Sequence, residues 1–147
     1  LQELNKTGQL VTNISPIIQV DINQCAGIEY DEFAVRVAAV AMGLIDHQMN
    51  IKVSNTFGQY FVRLPLKKAA KIVHGNALRI DWQEVISKEK LNFILGNPPF
   101  VGSKMMTEAQ REDLLTLFKD AKGAGVMDYV SAWYIKAAEL IQHSNIK

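Results

Sequence analysis

Apolar and polar positions follow two periods along this chain, and together they predict its elements. Val130, Trp133, Tyr134, Ala137, Ala138 and Ile141 fall at i, i+3, i+4, i+7, i+8 and i+11, the spacing that puts side chains on one face of a helix. A helix is expected there, with Asp128 as its cap and Trp133 and Tyr134 in the core. Phe33, Val37, Val40, Ala41 and Leu44 share that spacing, which predicts an amphipathic helix from Glu32 to about Gln48, capped by Asp31. Thr107 to Lys119 reads as a further helix, with Thr107 as cap and Leu114, Leu115 and Phe118 apolar. Trp82 to Ser87 reads as a short one. Residues Leu1 to Thr7 read as a helix end closed by Gly8, followed by a loop through Thr12, Asn13, Ser15 and Pro16.

Three short apolar runs predict strands. They are Cys25-Ala26-Gly27-Ile28, ending in Glu29, then Lys71-Ile72-Val73-His74, then Asn92-Phe93-Ile94-Leu95, stopped by Gly96 and Pro98-Pro99. Asn50 to Leu66, with Gly58 and Pro65, reads as an extended excursion or hairpin. Strands alternating with helices indicate an α/β fold with a mostly parallel sheet. Ligands of such sheets bind at the carboxyl ends of strands. Glu29, Asn76 and Asn97 are the polar residues expected at those ends.

Composition narrows the class. The 147 residues are 48% hydrophobic and 21% charged, enough for one globular domain or part of one. A formal net charge of +1 gives no strong basic field, so most phosphate contacts of a DNA-binding protein would lie outside this chain. The lone Cys25 excludes an internal disulfide framework and fits a reducing cytoplasm. No apolar run reaches the roughly 20 residues of a membrane span.

Asn97-Pro98-Pro99-Phe100 carries the most specific chemistry. The exocyclic amine of adenine is a poor nucleophile because its lone pair is delocalised into the ring. Two acceptors that take both of its N–H bonds free the lone pair for attack on a methyl donor. The side-chain carbonyl of Asn97 and the backbone carbonyl of Pro98 can supply them. The prolines restrict the backbone at and before each of them, so the acceptors are held at low reorganisation cost. Phe100 offers a stacking surface for a base flipped out of a duplex. The plain alternative is a loop in which prolines end a strand.

Glu29 can accept both ribose hydroxyls of S-adenosylmethionine, or it is a solvated strand-end residue or a helix-start charge favoured by the dipole. Asn76 can bond the donor's adenine edge beside the Ala77 N–H, or it belongs to a Gly75-Asn76 turn. Gly123-Ala124-Gly125 follows a helix rather than a strand, so it reads as a helix-terminal loop and not as a cofactor loop.

Gly27-Ile28-Glu29-Tyr30, His74-Gly75-Asn76-Ala77-Leu78, Ile94-Leu95-Gly96-Asn97-Pro98-Pro99-Phe100-Val101-Gly102 and Gly125-Val126-Met127-Asp128-Tyr129-Val130 resemble, in order, the motifs of adenine-specific (N6) DNA methyltransferases. The stretch from Ala41 to Asn50 resembles the large bacterial polypeptides that join methyltransferase and endonuclease in restriction–modification. The resemblance covers nearly the whole chain. It implies a partial Rossmann-like class I methyltransferase fold, with residues 1–147 the central part of a catalytic domain. It implies S-adenosylmethionine as cofactor, DNA as partner and a bacterial cytoplasmic location. Asn97, Pro98, Pro99 and Phe100 match the target-adenine site. Glu29, Tyr30, Asn76 and Ala77 match the donor site, with Asn76 where many relatives carry Asp. Asp128 and Tyr129 are implied pocket residues. The family's first strand and glycine-rich loop are expected before Leu1, and its later strands and recognition domain after Lys147. On that expectation the chain alone does not methylate DNA, and it dimerises, pairs the strands ending at Glu29 and Asn97 directly, or uses another segment in place of the missing strand.

Other residues carry less. His47, His74 and His143 show no metal-ligand spacing with Cys25 and read as surface or helix-end residues. Met105-Met106 reads as a loop over the site or as packing. Lys67, Lys68 and Lys71 read as a solvated basic face or as phosphate contacts. Two further functions share these features. One is methylation of a protein glutamine amide, which presents a similar planar nitrogen. The other is a non-catalytic remnant or interaction module.

Overall fold

The computed structural model describes residues 18–58, 69–118 and 123–146. The readings for Leu1 to Pro16, for Gln59 to Leu66 and for Lys67 and Lys68 lie outside them. The chain divides into two compact units between Gly75 and Asn76.

The first unit is built on a strand–helix–strand unit. Strand β1 (Ala26–Glu29) and strand β2 (Lys71–His74) pair in parallel, with Ala26 opposite Lys71 and Glu29 opposite His74. Parallel neighbours need a crossover, and helix α1 (Glu32–Phe57) lies in it and packs on both strands. Gly27 sits opposite Ile72, where an added Cβ would come 3.2 Å from the Ile72 Cδ1. Ahead of β1, a single 3-10 turn (Ile22–Gln24) is closed by a reciprocal cap between Asp21 and Gln24.

Helix α1 starts as the sequence predicts. The Asp31 carboxylate accepts the Ala34 N–H at 2.9 Å. It runs on to Phe57, however, so residues 50–57 are helical and not an extended excursion. Nothing between Gln48 and Phe57 breaks a helix. The hydroxyls of Ser54 and Thr56 bond back to the carbonyls of Asn50 and Lys52, which accommodates polar side chains in mid-helix. Gly58 ends the helix in the left-handed region at φ 63°, with its N–H on the Ser54 carbonyl. The predicted core stripe of α1 is instead solvent-facing, with Phe33 75% and Val40 64% exposed. Ala34, Val35, Ala38 and Met42 are half-buried, so α1 is apolar on more than one face.

The second unit is helical. It holds α2 (Trp82–Val85), a 3-10 turn (Lys88–Lys90), α3 (Glu108–Phe118), a second 3-10 turn (Ala124–Val126) and α4 (Ser131–Ile141). Helix α3 packs on α4 around a core of Leu78, Met106, Leu114, Tyr129 and Ala132. Thr107 caps α3 as predicted: its hydroxyl accepts the Gln110 N–H and the Gln110 side chain accepts the Thr107 N–H.

Three expectations fail in this unit. Asn92-Phe93-Ile94-Leu95 forms no strand. A strand exists through its ladder, and no described residue pairs with this run; Leu95 is 92% exposed. Asp128 does not cap α4 with its side chain, because that carboxylate accepts the Ser103 N–H instead. Its backbone carbonyl takes the Ser131 N–H and hydroxyl. Tyr134 is exposed rather than core, whereas Trp133 packs edge-on against Tyr129 with ring centroids 4.9 Å apart. No described helix is long and apolar enough to cross a membrane.

Candidate functional site

In the first unit, the register of β1 on β2 brings Glu29 and His74 level at the carboxyl edge of the sheet. The Glu29 carbonyl accepts the Gly75 N–H at 2.8 Å, so the chain leaving β2 is held beside Glu29. Of the Glu29 carboxylate, Oε1 accepts the Asp31 N–H at 3.1 Å. Oε2 has no partner among the described residues. Tyr30 is exposed, and its carbonyl lies 2.9 Å from the His74 Nε2.

The second unit opens with Asn76, whose side chain is used locally. Its Oδ1 accepts the Leu78 N–H and its Nδ2 donates to the Asp113 Oδ2, both at 2.9 Å. One lone pair remains on the amide oxygen, and the amide also interacts with the Tyr129 hydroxyl, where it lowers the phenol pKa. The Ala77 carbonyl accepts the Trp82 indole N–H at 2.8 Å and the Lys136 ammonium at 2.9 Å. Lys136 also donates to the Leu78 and Ile80 carbonyls. Its ammonium lies 5.6 Å from the Trp82 ring centre, within cation–π range. Burial lowers the Lys136 pKa, partly countered by the charges of Asp81 and Glu139.

The Asn-Pro-Pro-Phe corner is open. Asn97, Pro99 and Phe100 are exposed, Phe100 by 75%, and the Asn97 side chain makes no hydrogen bond to a described residue. The segment just after it is pinned. The Val101 carbonyl accepts the Tyr129 N–H at 2.8 Å, and the Asp128 carboxylate accepts the Ser103 N–H at 2.9 Å. Arg111 donates to the Ser103 carbonyl. The chain following the corner is thus tied to Asp128 and Tyr129. Met106 packs in the core while Met105 is exposed.

Asp113 is the residue that sequence reasoning missed. It is 8% exposed and accepts three donors: Arg79 Nε at 2.7 Å, Asn76 Nδ2 at 2.9 Å and the Tyr129 hydroxyl at 3.0 Å. The hydrogen bond and charge of Asp113 raise the Arg79 pKa. Burial first, and then the bond to Asp113, push the Tyr129 phenol up to about 12. A signal existed, since Asp113 shares a helical face with Leu117, at i+4. A carboxylate on an apolar face needs partners, and nothing in the spacing says which.

The first unit is a parallel strand–helix–strand unit with Glu29 at its carboxyl edge, and the second carries an exposed Asn-Pro-Pro-Phe corner. Comparison with known proteins supplies the family. The chain belongs to the family described as the DNA-methyltransferase domain of MmeI, which it matches over residues 2–147. It is 34% identical over 131 residues to DNA methyltransferase A of Bacillus subtilis (strain 168), a match covering 87% of this chain and 15% of that protein. It is similar to the structure of the Type IIL restriction–modification enzyme MmeI in complex with DNA, at a TM-score of 0.86 and 49% identity, over 99% of this chain and 20% of that one. The chain therefore spans between a seventh and a fifth of these relatives.

Proposed function

We propose that this chain carries donor and target residues of a DNA methyltransferase that moves the methyl group of S-adenosylmethionine to N6 of a flipped-out adenine, within a restriction–modification protein. Membership of the MmeI DNA-methyltransferase domain family supports the reaction class. The observation that carries the adenine reading is the corner itself: an Asn97 amide with no bond to a described residue, beside an exposed Phe100, on a segment pinned at Val101 and Ser103. The strand–helix–strand unit supports a partial Rossmann-like arrangement.

The residues fit the donor in part. Glu29 keeps Oε2 free of described partners, which suits a ribose hydroxyl. The Ala77 N–H has no described partner and suits a purine nitrogen. Asn76 contributes only what its two local bonds leave. Bound S-adenosylmethionine supplies an electrophilic methyl group. Asn97 Oδ1 and the Pro98 carbonyl accept the two amine hydrogens and draw the lone pair out of conjugation. Phe100 stacks on the extruded base, worth roughly 1–3 kcal/mol.

The test uses the full-length protein, DNA and labelled S-adenosylmethionine, with nucleoside analysis of the product. N6-methyladenine is expected, with a loss of roughly 10²-fold or more in Asn97→Ala, the scale of removing one preorganised hydrogen-bonding group. Methylated cytosine, or an Asn97→Ala variant as active as the wild type, overturns the reading.

A further inference from the structure

Asp113 stands outside every motif read from the sequence, yet its carboxylate joins two segments assigned above to different halves of the site. Oδ2 takes both the Asn76 amide, at 2.9 Å, and the Tyr129 hydroxyl, at 3.0 Å. Oδ1 takes Arg79 at 2.7 Å. A buried carboxylate is costly unless it is hydrogen-bonded, and these three donors occupy three of its roughly four acceptor sites. An ionised carboxylate only accepts, so Asp113 dictates which way the Asn76 amide faces. The nitrogen must point at Asp113, and Oδ1 must then meet the Leu78 N–H. The turn holding Asn76 and Ala77 is fixed by that choice. Through Tyr129, whose N–H holds the Val101 carbonyl, the same carboxylate reaches the chain next to Phe100.

We infer that Asp113 is a positioning residue that sets the geometry of the donor-side turn at Asn76–Ala77 and couples it to the target-side segment at Val101–Tyr129. The inference rests on the proposed function. It assigns Asp113 no contact with substrate. Its effect falls first on donor affinity and then on the response of DNA binding to donor.

The experiment measures S-adenosylmethionine binding and steady-state methylation with the full-length protein. Asp113→Asn removes the charge and turns one of the two acceptor atoms into a donor, so the Asn76, Tyr129 and Arg79 donors can no longer all be accepted. The donor Kd is expected to rise roughly tenfold or more, as loss of charged hydrogen bonds implies, and the donor KM is expected to rise by more than kcat falls. A purely structural role would lower the yield or Tm while leaving the donor KM of the folded fraction unchanged. Should Asp113→Asn fail to fold, the exchange of partners carries the test. Asn76→Asp alone opposes two carboxylates and weakens donor binding. Asn76→Asp with Asp113→Asn re-forms the pair with donor and acceptor exchanged and restores much of the affinity, a positive coupling in a double-mutant cycle. If the wild type binds the donor and Asp113→Asn binds it equally well, the role of Asp113 is overturned while the proposed function stands. An Asn76→Asp variant that binds like the double variant overturns it too. A wild type that does not bind the donor overturns both.

Discussion

Leu114 and Leu115 are neighbours on α3 with opposite environments, and this contrast yields a sharp test of the packing. Leu114 is 0% exposed, enclosed by Leu78, Met106, Tyr129 and Ala132, whereas Leu115 is 44% exposed. Leu114→Ala removes three carbon groups from a closed site, worth roughly 2.4 kcal/mol of transfer free energy at about 0.8 kcal/mol each. The cavity left behind adds roughly 1–2 kcal/mol, since the walls relax only in part. The expected loss is about 4 kcal/mol, a large share of the roughly 5–15 kcal/mol that holds a typical domain folded. Leu115→Ala leaves no closed cavity and should cost about 1 kcal/mol or less. Urea titration followed by far-ultraviolet circular dichroism separates the two. With a slope of roughly 1–3 kcal/mol per molar, Leu114→Ala lowers the midpoint by roughly 2 M. Equal losses at the two positions, or a Leu114→Ala loss below about 1 kcal/mol, would refute the placement of α3.

Thr107→Ala should destabilise α3 by about 1 kcal/mol because it removes half of the reciprocal cap with Gln110, while Thr107→Ser keeps the bond; equal denaturation midpoints for Ala and wild type would count against the cap. Gly58→Ala should cost about 1 kcal/mol through its left-handed φ of 63°, since an added Cβ meets no described residue within 4 Å; Gly58→Asn should cost less, and the order of thermal midpoints checks this. The Tyr129 phenol, at about 12 against an ordinary value near 10, contributes stability that is complete below the unfolded value and lost as pH rises from about 10 through 12. Phenolate absorbance against pH should show one tyrosine titrating last, together with unfolding, and Tyr129→Phe should remove that step; all tyrosines ionising near pH 10 in folded protein would contradict it.

What the sequence discloses depends on whether the cause is local. The Thr107 and Asp31 caps are set by residues close in the chain, and each is found where the pattern predicts it. The β1 and β2 runs are also strands where the pattern predicts them, because each has the other as its partner. The run Asn92–Leu95 has a strand's composition but not a strand's ladder, which must come from a partner the run cannot encode. Helix α1 misled in a different way. It is apolar on more than one face, so periodicity finds a stripe but not which stripe meets its own sheet. Asp113 was illegible because its three partners lie 16 to 37 residues away, and only the fold brings them to one carboxylate.

The corner and the carboxylate show opposite uses of polar groups. Asp113 is buried and bonded to three donors, the condition under which a charge is tolerated in a core and can hold a fixed geometry. Asn97 is exposed and bonded to no described residue. In water an open amide oxygen costs nothing to keep, because solvent satisfies it. It becomes useful once a base displaces that solvent, and only if the backbone carrying it does not then have to reorganise. The two prolines limit that motion from within the corner, and the bonds from Val101 and Ser103 to the Asp128–Tyr129 segment limit it from the chain that follows. On the proposed function, loosening those pins should therefore slow methyl transfer without touching either acceptor. Asp128→Ala, which leaves the Ser103 N–H without its carboxylate, should lower kcat more than it raises the KM for DNA. A fall confined to the KM would place Asp128 in DNA binding instead.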